Sequence, residues 1–387
     1  MILLFAVTYM ISYVTRVNYG AVISEMEIAT AIPRNLLSVS LTGSFITYGI
    51  GQIISGILGD RVSPKLLIFI GFVTTSLMNI LLPLCPSPEA MIAVWCLNGF
   101  AQSLMWPPLV RLISTLFDSQ QYKKATTRVS WGSSAGTVAV YLISPLLIKL
   151  FSWRAVFFVS GISGAVMALF WLLLCPDVKN EKQSEENTKR SYKGLFSPVM
   201  ATVMVAIVLM GIIRDGVTTW MPSYVSGIYG ISNIAAILSG VLLPVFGVVC
   251  YNIANSLYSR KFDNPVLCAA IIFVPGVIAA GLLFAFSGQN SAVSVIMSAI
   301  LAGSMHGVNL MLVCMIPRYF ERYGSVSTVS GVLNSCTYVG SALSGYGVAA
   351  VSLHIGWNFT LLIWFAVALL GCLLCFVSFR AFKRRMS

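Results

Sequence analysis

Apolar windows recur along the whole chain, and they constrain its fold more than any other feature. A bilayer core needs about 20 consecutive apolar residues in helical form. About twelve such windows fall near residues 2–22, 36–58, 65–84, 90–115, 125–148, 153–175, 198–224, 233–257, 265–286, 291–316, 326–349 and 355–379. Lipid offers no partner to backbone N–H and C=O groups, so each window is expected to be a helix. The chain is 58% hydrophobic and 9% charged, against about 25% charged in soluble domains. The first window lacks a basic leading region and carries Arg16, so it does not read as a cleavable signal peptide.

Placing the loops alternately on the two sides puts Arg61, Lys65, Arg111, Lys123, Lys124 and the basic tail Arg380–Arg385 on one side, with most other cations. Arg34, Lys149 and Arg154 remain on the other. The excess of Lys and Arg marks the cytoplasmic side and puts both termini there, in a multi-pass protein of the cytoplasmic (inner) membrane. The net charge of +12 is thereby explained by topology, and no basic face is left for nucleic acid. Nine cysteines are scattered through apolar windows. Even the Cys372–Cys375 pair lacks metal-type neighbours, so these read as inert thiols. No nucleotide motif, zinc spacing or nucleophile arrangement is present, so neither a cofactor, a metal nor an enzyme activity is expected.

The polar stretch from Asp177 to Lys193 follows the sixth window and reads as a cytoplasmic linker. The segments on either side are related. Arg16 recurs as Arg214, Asp60–Arg61 as Ser259–Arg260, and Trp153 as Trp357, at offsets of about 200 residues. The small-residue runs Gly132–Gly136 and Gly340–Gly345 precede the two tryptophans and suit close helix packing. The expected architecture is an all-α membrane protein with twelve transmembrane helices in two pseudo-symmetric six-helix halves, 1–176 and 198–387, joined by linker 177–197. Parallel repeats of this kind place the substrate site near the midplane between halves.

Away from their ends the windows hold few ionisable groups: Arg16, Arg214, Asp215 and His306, with Arg111 near a cytoplasmic end. A guanidinium in a membrane helix costs about 2.5–3.5 kcal/mol by insertion scales and marks a functional site. It does not shed its proton. Tyr9 and Tyr13 precede Arg16 by seven and three residues, which puts all three on one helical face. Two guanidiniums at equivalent places suit a phosphate or phosphate ester, whose oxygens accept paired charge-assisted bonds. Tyr9, Tyr13 and Tyr48 add neutral donors. Adjacent helical residues point about 100° apart, so position alone does not pair Asp215 with Arg214. It stands as a partial counter-charge or a proton carrier. His306 is open between a core hydrogen bond and a cavity role.

These features resemble the major facilitator superfamily. The loop Gly56–Lys65 matches its G-x-x-x-D-R-x-G-R-K signature, with Ser63 and Pro64 in place of Gly-Arg. Within that superfamily the chain is similar to the organophosphate–phosphate antiporters, the glycerol-3-phosphate and hexose-6-phosphate transporters. Their first-helix Y-x-x-x-Y-x-x-R-x-N is matched by Tyr9, Tyr13, Arg16 and Asn18, and their seventh-helix R-x-G-x-x-x-W-x-P-x-Y by Arg214, Gly216, Trp220, Pro222 and Tyr224. Tyr48–Gly49, Trp106–Pro108 and Tyr338–Gly340 match further family positions. Three positions depart: Gln52 stands for a lysine, Ser133–Ser134 for a His-Asn pair, and Asp215 for an uncharged residue.

The resemblance implies substrate binding by Arg16, Arg214, Tyr9, Tyr13, Tyr48 and Tyr338; Ser133, which stands in the place of the family's histidine, and His306, from its position inside a window, are added as candidate binding residues. The loop signature implies gating at Asp60, Arg61 and Lys65, while possible coupling at Asp215 rests on its being a carboxylate inside a window. The expected activity is exchange of an organic anion, an organophosphate of the sugar- or glycerol-phosphate type, for inorganic phosphate by alternating access. The partners are then that small-molecule anion, inorganic phosphate and the lipid bilayer, and the protein acts as a monomer. A proton-coupled carrier of a sugar acid or carboxylate is the alternative, with Asp215 or His306 as relay. A transporter-like sensor of sugar phosphate is a third reading.

Overall fold

The computed structural model describes residues 1–177, 195, 197–231, 239–323 and 325–386. The helices in chain order are α1 (Ile2–Thr30), α2 (Arg34–Gly59), α3 (Pro64–Leu81), α4 (Pro88–Ser103), α5 (Trp106–Leu116), α6 (Ser119–Leu150) and α7 (Trp153–Leu174). They continue as α8 (Pro198–Tyr229), α9 (Leu242–Arg260), α10 (Pro265–Ala285), α11 (Ser291–Asn309), α12 (Val326–His354) and α13 (Trp357–Met386). Among the described residues, ten helices are long and apolar enough to cross a membrane. The two other expected crossings are also helical. One is split into α4 and α5; the other, α12, is diluted by serine, threonine and glycine. The chain is an all-α membrane protein. Of the expected linker 177–197, residues 178–194 and 196 lie outside the described residues, and with them Lys179, Lys182, Lys189, Arg190 and Lys193.

Local chemistry sets the helix ends. Pro64, Pro88, Pro198 and Pro265 each sit in a first turn, where a missing N–H leaves no bond unmade. Asp118, Asn264 and Asn290 accept backbone N–H groups of the helices they precede, at 2.8–3.2 Å. Gly230, with φ of 63°, closes α8 in the left-handed region that glycine enters without strain.

The fourth crossing is not one helix, because Pro107 and Pro108 cannot donate. Without the Pro107 N–H the Ser103 carbonyl loses its helical partner. The Gln52 amide donates to it at 3.4 Å, and the chain tightens through Leu104 and Met105 before α5 begins. Another irregular stretch is Leu310–Met315, a π-helical turn directly after Asn309.

The described residues form two compact units. The first comprises Met1–Arg190 with Phe320–Ser335; the second comprises Ser191–Tyr319 with Cys336–Ser387. In the first unit the start of α12 is tied to α2. Asn334 donates to Gln52 at 3.0 Å, and Asp60 accepts the Ser327 and Thr328 N–H groups. A Cβ on Gly331 would collide with the Gln52 carbonyl. Also in the first unit, α1 lies so close to α6 that a Cβ on Gly132 or Gly136 would strike the carbonyls of Ala6 or Met10. Within the second unit, Gly340 and Gly211 bring α12 equally close to α8. In each unit the arginine-bearing helix is therefore clamped by glycines, as the small-residue runs predict. An aromatic core of Tyr19, Trp95, Trp153 and Phe157 packs the end of the first unit remote from Met1.

Candidate functional site

Two polar centres stand inside the crossings, one in each unit. In the first, α1 presents Tyr9, Tyr13 and Arg16 along one face, as their spacing predicts. The Tyr9 and Tyr13 rings meet edge-on with centroids 5.2 Å apart, and Tyr9 packs on Trp106 at 4.8 Å. The break before α5 is what sets Trp106 there. The Arg16 guanidinium carbon lies 4.1 Å from the Tyr13 ring centroid and 4.9 Å from that of Tyr48. A cation over aromatic faces gains about 0.5–1 kcal/mol when exposed and about 2 or more when desolvated. Tyr48 is buried, while Tyr9, Tyr13 and Arg16 are half-buried.

Immediately beside Arg16 is a fully buried cluster of amides. Asn79 donates to the Thr15 carbonyl at 3.0 Å, and Asn98 donates to the same carbonyl at 3.3 Å. Asn18 donates to Asn79 at 2.7 Å. Gln102 donates to the hydroxyls of Thr15 and Thr75 at 2.8 and 2.9 Å, and the Thr75 hydroxyl donates to Asn98. These bonds fasten α1 to α3 and α4 on both sides of residue 16. Ser133 lies buried on α6 with its hydroxyl donated to the Ser130 carbonyl at 2.7 Å.

The second centre is built differently. Arg214 donates from Nε and Nη2 to the two oxygens of Asp215, at 2.7 and 2.9 Å. Its Nη1 donates to Asn309 at 3.2 Å. Ser341 on α12 donates to the same carboxylate. The direct pair that adjacent positions left open is thus formed, because the flexible arginine folds back along its own helix. His306 lies one turn before Asn309 on α11. Its Nδ1 is 3.1 Å from the Tyr251 hydroxyl, and Gly247 leaves room for its ring. Tyr338 is half-buried on α12, three residues before Ser341.

The sequence profile of the Major Facilitator Superfamily matches residues 5–345. The chain belongs to the major facilitator superfamily. Among its relatives, the membrane sensor protein UhpC of Salmonella typhimurium is 23% identical over 366 residues, covering 89% of this chain and 83% of that protein. A probable hexose phosphate transport protein of Chlamydia muridarum is 22% identical over 418 residues, 96% of this chain and 87% of that protein. The glycerol-3-phosphate transporter of Bacillus subtilis is 24% identical over 302 residues, 70% of this chain and 67% of that protein. These similarities are to the organophosphate:phosphate antiporter group.

The facilitator loop signature has its own geometry. Asp60 accepts the N–H groups of Ser327 and Thr328 at 2.9 and 2.8 Å, at a helix start that favours negative charge. Burial nevertheless dominates and pushes its carboxyl above the usual carboxylate range. The hydrogen bonds from Thr328 and Ser327 and the charge of Arg111 offset part of the rise. Arg111 donates to the Gly59 carbonyl and holds the turn from beneath. Arg61 is exposed, and Lys65 gives its backbone carbonyl to the Trp171 indole at 3.0 Å.

Several polar residues of this facilitator are absent from the expected set: Asn79, Asn98, Gln102, Asn309 and Ser341. The one signal available was an amide or hydroxyl inside an apolar window, where a polar group requires a partner.

Proposed function

We propose that this facilitator exchanges an organic anion, of the sugar-phosphate or glycerol-phosphate type, for inorganic phosphate by alternating access. The observation that carries the reading is the matched pair of arginines, Arg16 on α1 and Arg214 on α8. Each lies inside a membrane crossing, and each is on a helix clamped by glycines. Tyr9, Tyr13, Tyr48 and Tyr338 supply neutral donors to the anion. The names of the relatives from Chlamydia and Bacillus support the substrate class. Substrate lowers the barrier between the two access states, so the loaded carrier crosses and exchange follows. Asp60, Arg61 and Lys65 are assigned to conformational control, in keeping with the bonds between Asp60 and the start of α12.

The test is phosphate counterflow in proteoliposomes with Arg16→Lys and Arg214→Lys. A lysine keeps the charge and loses the paired donors. One such charge-assisted bond contributes about 1.5–3 kcal/mol, so exchange falls about tenfold or more in each variant. Wild-type rates in both would overturn the reading.

Two observations favour other readings. Asp215 is an intramembrane carboxylate, which a proton-coupled carrier of a sugar acid or carboxylate would use. Uptake that collapses with a protonophore and ignores internal phosphate supports that mechanism. The similarity to a membrane sensor protein favours sensing; substrate binding without counterflow supports it.

A further inference from the structure

We infer that Asp215 is a tethered competitor for the anion at Arg214, and that it selects singly charged anions over doubly charged ones. The inference rests on the reading of Arg214 as an anion-binding group and narrows the substrate to a charge class. That class comprises the singly charged forms of phosphate and its esters, and monocarboxylates.

The geometry is that of an occupied binding edge. A guanidinium recognises carboxylate or phosphate through two parallel N–H donors. Here Nε and Nη2 meet both oxygens of one carboxylate, at 2.7 and 2.9 Å, and Nη1 is bonded to Asn309 at 3.2 Å. The carboxylate is the more open partner, its side chain 32% exposed against 13% for Arg214. An anion that takes the paired donors therefore does so by displacing the carboxylate. Ser341 donates to that carboxylate in its paired position, so displacement by an anion moves the carboxylate against this bond as well. The next position in the chain keeps the local concentration of this competitor high.

Charge decides the selectivity. Arginine and aspartate sum to zero, and displacement leaves the aspartate within a few ångströms of the bound anion. Each negative charge on the ligand meets that repulsion in a medium that screens poorly. A dianion is penalised about twice as heavily as a monoanion.

Sulfate and dimethyl phosphate test this, being tetrahedral anions of fixed charge, two and one, at neutral pH. Their binding is measured on the purified full chain, as wild type, Asp215→Asn and Asp215→Ser. The serine variant keeps the test open where the asparagine variant does not fold. Removing the carboxylate is expected to raise sulfate affinity about tenfold relative to dimethyl phosphate. An unchanged ratio, or equal loss for both probes, overturns the inference and assigns Asp215 a structural role. So does absence of binding by both probes in every protein. The phosphate reading falls separately. A ratio that shifts as expected in a protein that binds neither inorganic phosphate nor glycerol 3-phosphate sinks that reading alone. An unchanged ratio with intact phosphate counterflow sinks the competitor alone.

Discussion

Arg16 and Arg214 occupy matching places in the repeated sequence, yet they are stabilised by different means. In the first unit the guanidinium lies over the rings of Tyr13 and Tyr48. In the second it is gripped by the carboxylate of the next residue. Aromatic faces attract a cation through their quadrupole and cancel none of its charge. A carboxylate cancels it and takes two of its donors as a pair. Surroundings diverge as well: the first unit sets the amide cluster around Thr15 next to its arginine, and the second sets Asn309 and Ser341 at its ion pair. Matching positions in a repeat therefore do not bring matching contacts.

The largest expected effect comes from opening the ion pair. Arg214→Leu leaves the Asp215 carboxylate without its cation inside the membrane, which costs about 3–5 kcal/mol. Combining it with Asp215→Asn removes the stranded charge and recovers most of that loss. Thermal unfolding of the purified protein in detergent reads both. Equal destabilisation in the single and double variants would show that the pair is not coupled. Next to Arg16 in the chain stand Thr15 and Val17, so the matching double variant has no acid at an adjacent position to remove.

A smaller effect probes the other side of the contrast. Asn79 joins α1 to α3, and its amide satisfies the Thr15 carbonyl. Asn79→Leu leaves the Asn18 amide without its acceptor and weakens the hold on that carbonyl. The cost of one stranded buried polar group is about 1–3 kcal/mol. Unfolding temperature should fall, and the Arg16 side should lose substrate affinity, while the Arg214–Asp215 pair is unaffected. A variant as stable as the wild type would mean that the cluster is not a fastening.

Much of this was legible in advance, and the boundary has physical causes. The apolar windows predict helices because lipid permits little else. Tyr9, Tyr13 and Arg16 share a face because helical spacing requires it. The grip of Asp215 on Arg214 stays open in the sequence because helix geometry positions Cβ atoms, whereas a long flexible side chain can fold back to its neighbour. The break before α5 was signalled by Pro107 and Pro108, although the apolar run concealed it. The amide cluster draws Asn18, Asn79, Asn98 and Gln102 from three helices. Its members follow no periodic rule, so only tertiary packing reveals their partnership.

The smallest expected effect concerns the first unit's own buried acid. Asp60 is held by backbone N–H groups at a helix start, whereas Asp215 is held by a guanidinium. Burial outweighs those bonds and raises its pKa above the ordinary value of 3.8. A carboxyl whose pKa is raised on folding binds its proton more tightly in the native state. Its contribution to stability is complete below the unfolded pKa and is lost as pH climbs through the native one. Asp60→Asn removes that titration. The unfolding temperature of the wild type, taken relative to this variant, should therefore decline as pH rises from below 3.8 through the raised native pKa. Parallel profiles would mean that burial and the Ser327 and Thr328 bonds cancel. A relative gain with rising pH would mean that the helix start and Arg111 prevail, so that the first unit too stabilises its acid by charge.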